Sequence, residues 1–153
     1  MELQLAFKKK LYQHALQIIQ ERIAASELAM RNAQAAANSE EKSSAGDKYE
    51  TSRAMSHLEK DMQSRQLLAN QNELEALLAI NCNSIHQLIT VGTVVVFKEF
   101  QFFIAAGLGK IMFDNKLVYL ISPHAPIAKA LAQKQVGNEI IFNKKVLTIE
   151  ALF

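Results

Sequence analysis

Four acidic residues stand close together in a short polar segment, residues 39–51, and they are the side chains best suited to chemistry. They are Glu40, Glu41, Asp47 and Glu50. Asp47 and Glu50 are three positions apart, so on a helix their carboxylates share one face. Two carboxylates held side by side could assist a reaction. We therefore treat this pair as the candidate chemical centre of the segment.

A structural role for the acids is the alternative. Ser44 precedes Asp47 by three positions, which is the spacing of a capping box at the start of a helix. Glu50 could simply face solvent. Glu40 and Glu41 stand where a first helix would end, and the helix dipole disfavours negative charge there. Capping and catalytic assistance by Asp47 are compatible, and both remain open from the residues alone.

The acidic segment should form the tip of a helical hairpin, because helical periodicity without proline flanks it on both sides. We expect a first helix over residues 3–37 and a second over residues 44–78. Apolar residues at alternating spacings of three and four predict a coiled-coil seam. Its members are Tyr12, Leu16, Ile19, Ile23, Met30, Ala33 and Ala37 on the first helix, and Met55, Leu58 and Met62 on the second.

After residue 90 the composition changes to β-branched and aromatic residues, which favour strands. Two turn signals, residues 114–116 and 143–145, predict hairpins. Pro126 should open one short helix ending near Gln133. The predicted strands are residues 93–97, 102–105, 111–113, 117–121, 139–142 and 146–149. The fold class is therefore α+β, a helical hairpin followed by a small antiparallel sheet of about 65 residues.

Bulk composition limits the possible functions. The net charge of +2 is too small to indicate a nucleic-acid-binding protein. A single cysteine permits no internal disulfide, and the four histidines lack metal-ligand spacing. We expect neither a signal peptide nor a membrane-spanning apolar run, and therefore a cytoplasmic protein.

Two other groups of residues invite a functional interpretation and favour a structural one. Cys82 has His86 four positions later, but no glycine-rich loop or strand–turn–helix elbow surrounds it to supply an oxyanion hole. We therefore do not expect it to be a nucleophile. The run Lys8-Lys9-Lys10 should be a solvated helix face.

Two motifs in order resemble a known family. Ala125-Pro126-Ile127-Ala128-Lys129-Ala130-Leu131, after a strand ending at Ser122, resembles the S-P-I-A-x-x-L segment of the bacterial Gre transcription elongation factors. Residues 46–50, Gly-Asp-Lys-Tyr-Glu, resemble the G-D-x-x-E tip motif of the same family. The order of parts is also similar, and the resemblance covers the whole chain.

The resemblance implies a coiled-coil hairpin over residues 1–79 and an FKBP-like domain over residues 80–153 that binds bacterial RNA polymerase. It implies that the hairpin enters the secondary channel of the polymerase. There Asp47 and Glu50 would help to hold a second Mg²⁺ and its attacking water, so that backtracked RNA is cleaved at its 3′ end. Mg²⁺ prefers carboxylate oxygens and keeps several waters, which suits acids shared with those of a polymerase. The chain would have no cofactor of its own and would not itself be an enzyme.

The resemblance also assigns contacts to particular residues. The polymerase-binding residues would be Ser122, Pro123, Ala125, Pro126, Ile127 and Lys129. Three basic residues near the tip, Lys42, Lys48 and Arg53, could steer it toward RNA phosphates or balance the charge of the acids. We expect the protein to act as a monomer.

The tip departs from the family pattern, because Tyr49 lies inside the motif and Thr51-Ser52-Arg53 follow it. The asparagine and the second glutamate of the longer family motif are absent. One alternative is therefore a regulator that occupies the secondary channel without stimulating cleavage. Another is a coiled-coil scaffold for a different protein partner.

Overall fold

The computed structural model describes residues 2–41 and 46–153, with side chains described for residues 2–39 and 50–153. The chain is α+β, as the sequence predicts. Its helices are α1 (Glu2–Glu41), α2 (Gly46–Leu78) and α3 (Pro126–Leu131). Its strands are β1 (Val94–Val96), β2 (Gln101–Ile104), β3 (Gly109–Phe113), β4 (Lys116–Ile121), β5 (Glu139–Phe142), β6 (Lys145–Thr148) and β7 (Ala151–Leu152). Ser44, the predicted cap of the second helix, lies outside the described residues.

Contacts divide the chain into two compact units. The β unit contains Met1–Ile18 and Glu73–Phe153, and the hairpin unit contains Ile19–Asn72. The predicted boundary at residue 79 differs from this division, because the first turns of α1 and the last turns of α2 pack within the β unit. Among the described residues, no helix carries a stretch long and apolar enough to cross a membrane.

The two helices of the hairpin unit pack antiparallel. Three side-chain hydrogen bonds link the helices, and as the residue number on α1 increases, that of its partner on α2 decreases. They run from Asn70 to Ser26, from Ser64 to Met30 and from Lys60 to Gln34, at 3.4, 3.8 and 2.5 Å. This pairing gives the predicted hairpin.

The α2 side of the predicted seam is wrong. Met55, Leu58 and Met62 are exposed, whereas Asn70 is buried. Apolar spacing does not reveal the packed face of α2, because this helix turns Asn70 and Ser64 toward α1 and satisfies them by hydrogen bonds. On α1 the buried members of the seam are Ile19, Ala33 and Ala37, and Ser26 between them is buried as well.

The strands form two sheets. The larger has the order β3-β4-β2-β1-β7, and the smaller is the hairpin β5-β6. The prediction of a single antiparallel sheet is wrong in two respects, because β5 and β6 form a sheet of their own and because β2 and β4 pair in parallel. After β2 the chain crosses to the edge and forms β3, and β4 then returns between β3 and β2. All other strand pairs are antiparallel.

Both predicted hairpin turns are present. Asp114 and Asn115 have φ values of 54° and 60°, and Asn143 and Lys144 have values of 51° and 64°. Two successive residues with positive φ are typical of the type I′ turn, whose twist matches that of the flanking strands. The turns fix the registers in which Phe113 pairs with Lys116 and Phe142 pairs with Lys145.

An aromatic cluster forms the centre of the β unit. Phe102 is fully buried on β2 and contacts the rings of Phe97, Phe100, Tyr119 and Phe142, with centroids 5.2–5.6 Å away. Most of these pairs are edge-to-face, an arrangement that adds to simple burial of area. Leu131 of α3 belongs to the same buried core. The cluster therefore joins both sheets and α3.

Because Phe102 touches four aromatic rings, we expect Phe102→Ala to lower the free energy of unfolding by about 3–5 kcal/mol. Urea denaturation monitored by circular dichroism measures this change. The matched control is Met112→Ala on β3, whose side chain is 66% exposed, and its cost should be about 1 kcal/mol or less. Equal losses for the two variants would show that the cluster is not the centre of the core.

Candidate functional site

The backbone places the two candidate acids at the start of α2. This helix begins at Gly46, so Asp47 and Glu50 are its second and fifth residues. The N-terminus of a helix carries a partial positive charge that stabilises carboxylates. Glu50 is exposed. The side chain of Asp47 lies outside the described side chains.

The basic residues near the tip are only partly described. Arg53 is exposed on α2, three positions after Glu50. The side chain of Lys48 lies outside the described side chains, and Lys42 lies outside the described residues altogether. The exposure of Arg53 is compatible with the predicted steering of RNA phosphates, and that role stays a prediction.

The segment that leads into α3 is built by local hydrogen bonds. The Ser122 side-chain oxygen accepts a bond from the His124 N–H at 3.1 Å, and the Ser122 carbonyl accepts one from the Ala125 N–H at 3.0 Å. Pro126 then occupies the first turn of the helix, where its missing N–H costs nothing. The sequence predicts this start of α3 correctly.

The residues of this segment differ in exposure. Pro126 and Lys129 are exposed, whereas Ser122, Pro123 and Ala125 are partly buried. Ile127 packs against the buried core of the β unit. Of the predicted polymerase contacts, Pro126 and Lys129 are thus the most accessible to a partner, and Ile127 also has a structural role.

Sequence reasoning missed a buried polar cluster around Lys8. The expectation of a solvated lysine face is wrong at this position, because Lys8 is fully buried while Lys9 and Lys10 are exposed. The Lys8 ammonium donates a hydrogen bond to the Ser84 carbonyl at 3.0 Å. The spacing of Lys8 to the buried residues Leu11 and Ala15 is three and seven positions, and this was the signal that could have placed it on the inner face.

Burial governs the ionisation of this cluster. Loss of solvent lowers the pKa of Lys8 from its ordinary 10.5 to about 8, against a weaker opposing effect of Cys82. Burial likewise raises the pKa of Cys82, while Lys8 and Lys9 act in the opposite direction. Burial and Lys8 lower the pKa of His86. Cys82 is thus a protonated, buried thiol, which is a poor nucleophile.

His86 belongs to the same cluster and lies next to the backbone of Gly92. Its Nε2 atom is buried and has no hydrogen-bond partner among the described residues. Gly92 lies beside it with a φ of +93°, and a Cβ at that position would lie 3.4 Å from Nε2. Across the part of the chain with described side chains, no three His, Cys, Asp or Glu residues are grouped so that they could hold a metal ion.

Comparisons with known proteins give no match: no family model matches the chain, and neither a curated protein nor a solved structure does.

Removing the buried charge should stabilise the protein at neutral pH. We expect Lys8→Met to raise the free energy of unfolding at pH 7 by about 2 kcal/mol, since the methionine avoids most of the burial cost and loses one hydrogen bond. Below pH 8 Lys8 of the parent is protonated in the folded and in the unfolded state, so the folded state bears the full free-energy cost of the buried charge. Between pH 8 and 10.5 only the unfolded state holds it, so the parent gains stability relative to the variant.

Urea denaturation of both proteins at pH 7.0 and 9.5 measures the difference. The change at exposed Lys10, Lys10→Met, is the control and should show no such pH-dependent difference. A Lys8→Met variant that is less stable than the parent by an equal amount at both pH values would contradict a charged, buried Lys8.

Proposed function

We propose that this protein is a transcription factor that binds the secondary channel of bacterial RNA polymerase and stimulates cleavage of backtracked RNA through Asp47 and Glu50. One observation carries the proposal. Two carboxylate residues are the second and fifth residues of α2, at the start of the second helix of an antiparallel hairpin, in a chain whose β unit contains the Ala125–Leu131 motif.

The hairpin gives the proposal its geometry. A helix rises about 1.5 Å per residue, so α2 from Gly46 to Leu78 separates its acidic start from its β-unit end by about 48 Å. A narrow element of this length suits delivery of the acids to a buried active centre. The small residues Ser26, Ala33 and Ala37 on α1 let the helices approach closely and keep the hairpin thin.

The acids would act on an ion that belongs to the polymerase. Carboxylates at positions i and i+3 can share one cation or orient its bound water, and Mg²⁺ accepts such oxygen ligands. Such an ion would lower the pKa of a bound water and would supply the nucleophile for hydrolysis of the phosphodiester. Asp47 and Glu50 would help to hold the ion and orient that water, and the first turn of α2 stabilises the negative charge of Asp47.

The β unit would hold the factor on the polymerase. Pro126 and Lys129 are exposed at α3, and the partly buried Ser122 and Pro123 precede it. Their backbone is fixed by the hydrogen bonds of the Ser122 turn, so the surface is largely pre-formed. Preformed surfaces lose little conformational entropy on binding.

A second candidate function keeps the polymerase and omits the cleavage. The tip sequence favours it, because Tyr49 lies between the acids and Thr51-Ser52-Arg53 follow them. In this alternative the hairpin occupies the channel and changes access of substrates to the active centre. The two functions differ in cleavage and share binding, so one pair of assays separates them.

Neutralising the tip acids should abolish cleavage and preserve binding. We expect Asp47→Asn combined with Glu50→Gln to reduce stimulated cleavage of backtracked RNA at least about 100-fold, since the water loses its charged ligands. Cleavage of a labelled transcript in a stalled complex with purified polymerase measures this, and fluorescence anisotropy measures binding.

The matched control is Glu59→Gln combined with Asp61→Asn, which removes two exposed acids further along α2. It should cleave like the parent protein. If the parent binds but does not cleave, the channel-occupying regulator is correct. If the parent does not bind polymerase, both functions are wrong.

Reversing the charge of the exposed α3 lysine should weaken polymerase binding. We expect Lys129→Glu to raise the dissociation constant about tenfold, because a contact charge becomes repulsive or unpaired. Lys110→Glu on β3 is the control with the same charge change and should bind like the parent. Equal affinities of the two variants for polymerase would show that Lys129 of α3 is not part of the polymerase interface.

A further inference from the structure

The second sheet of the β unit has an open edge. Within the described residues β6 pairs only with β5, and β5 and β6 form a sheet of their own. Phe142 and Lys145 flank a two-residue turn and are therefore a hydrogen-bonded pair. The bond from the Ile149 N–H to the Asn138 carbonyl, 2.9 Å long, continues the alternation along the hairpin.

This alternation determines which backbone groups face outward. Val146 and Thr148 lie between the hydrogen-bonded positions, so their N–H and C=O groups point away from β5. Both residues are exposed, and no backbone partner is present for these groups in the described part of the chain. The β6 edge can therefore accept a further strand.

A cavity lies beside β6 on the inner side of the hairpin. It has a volume of about 200 Å³. Leu147 and Lys145 of β6 line it, facing inward like their partners Ile140 and Phe142. The remaining wall is largely aromatic and apolar, formed by Phe100, Leu117, Tyr119 and Phe142, with Glu99 and Asn143 at the polar part of the lining.

Rings of the aromatic cluster that contact one another form the wall of the cavity. The Phe100 ring lies 5.3 Å from Tyr119 and 5.7 Å from Phe142, measured between centroids. An added strand would direct every second side chain inward, and the one beside Leu147 would enter this cavity. Lined by apolar rings and by charges of both signs, the cavity suits an uncharged apolar side chain.

The charge of the edge selects the rest of the partner. Lys145 is exposed, and it faces the same side as the cavity, two positions from Leu147. An acidic residue two positions from the apolar one would lie beside it. A second copy of this chain would instead bring its own Lys144 and Lys145 to the edge, and the like charges disfavour that pairing.

We propose that the open edge of β6 binds an extended segment of a partner protein in which an apolar residue and an acidic residue are two positions apart. The added strand bonds to the N–H and C=O groups of Val146 and Thr148, the apolar side chain enters the cavity beside Leu147, and the acid pairs with Lys145. Backbone hydrogen bonds supply affinity and the cavity supplies specificity, as in other cases of strand addition. The site belongs to the β unit and the tip acids to the hairpin unit, and the proposal does not require the protein to bind polymerase.

The test uses the full chain and two fluorescein-labelled synthetic octapeptides, Ser-Thr-Thr-Leu-Thr-Asp-Thr-Ser and its reverse, which serve the antiparallel and parallel directions. Fluorescence anisotropy measures affinity, and ¹⁵N nuclear magnetic resonance locates the bound peptide. We expect one direction to bind saturably, with shift changes at β6 and slower hydrogen exchange of the Val146 and Thr148 amides. Replacing leucine by alanine in the peptide should weaken binding about tenfold.

Two protein variants test the named contacts. Val146→Pro removes one outward N–H without removing a hairpin bond, and it should weaken binding about tenfold. Lys145→Glu should weaken binding of the aspartate peptide and strengthen binding of a peptide with lysine in its place. Lys110→Glu on the edge strand β3 is the control and should bind like the parent.

Three results would overturn the proposal. They are the absence of saturable binding by either peptide, shift changes confined to residues outside β6 and the cavity, and equal affinities of the parent and Lys145→Glu for the aspartate peptide. Lys145 is exposed, so its variant should fold like the parent even if Val146→Pro does not.

Discussion

The β unit depends on apolar burial that its strands cannot complete alone. Residues 80–153 alone would form a domain of only about 70 residues, which is marginally stable by its own core. Here Phe7 of α1 contacts Phe113 and Phe153, with ring centroids 5.7 and 6.1 Å away. Leu11 and Leu77 are fully buried in the same unit. The ends of both long helices are thus part of this core, and a cut at residue 79 would remove Phe7 and Leu11 from it.

The two units bury very different surfaces. The β unit encloses aromatic rings and large aliphatic side chains, whereas the hairpin unit buries Ile19 at its start and otherwise alanine, serine and asparagine among its described side chains. Small and polar residues bring less apolar area out of water, so the hairpin unit gains less stability per residue. Its larger apolar residues Met55, Leu58 and Met62 remain exposed. Local opening should therefore begin in the hairpin unit, while the core around Phe102 persists longest.

Local signals predicted the elements well, and signals that depend on tertiary pairing did not. The Asp114-Asn115 and Asn143-Lys144 turns carried their own backbone preference and located four strands within two residues. The parallel pairing of β2 with β4 depends on the path between β2 and β3, which no local pattern encodes. The predictions for the packed face of α2 and for Lys8 were wrong for the same reason. At both places hydrogen bonds replace apolar contacts, and a hydrophobic pattern does not detect them. Of the candidate site, the sequence correctly placed Asp47 and Glu50 at the start of the second helix, and their role remains a prediction.

We propose that the start of α2 reaches the active centre of RNA polymerase. A photo-crosslinking amino acid in place of Glu50, in the full chain bound to a backtracked elongation complex, tests it most directly. We expect crosslinks to polymerase residues around the catalytic Mg²⁺ and to the RNA 3′ end. Crosslinks confined to the outer surface of the polymerase, or none in a complex that has bound the protein, would contradict it.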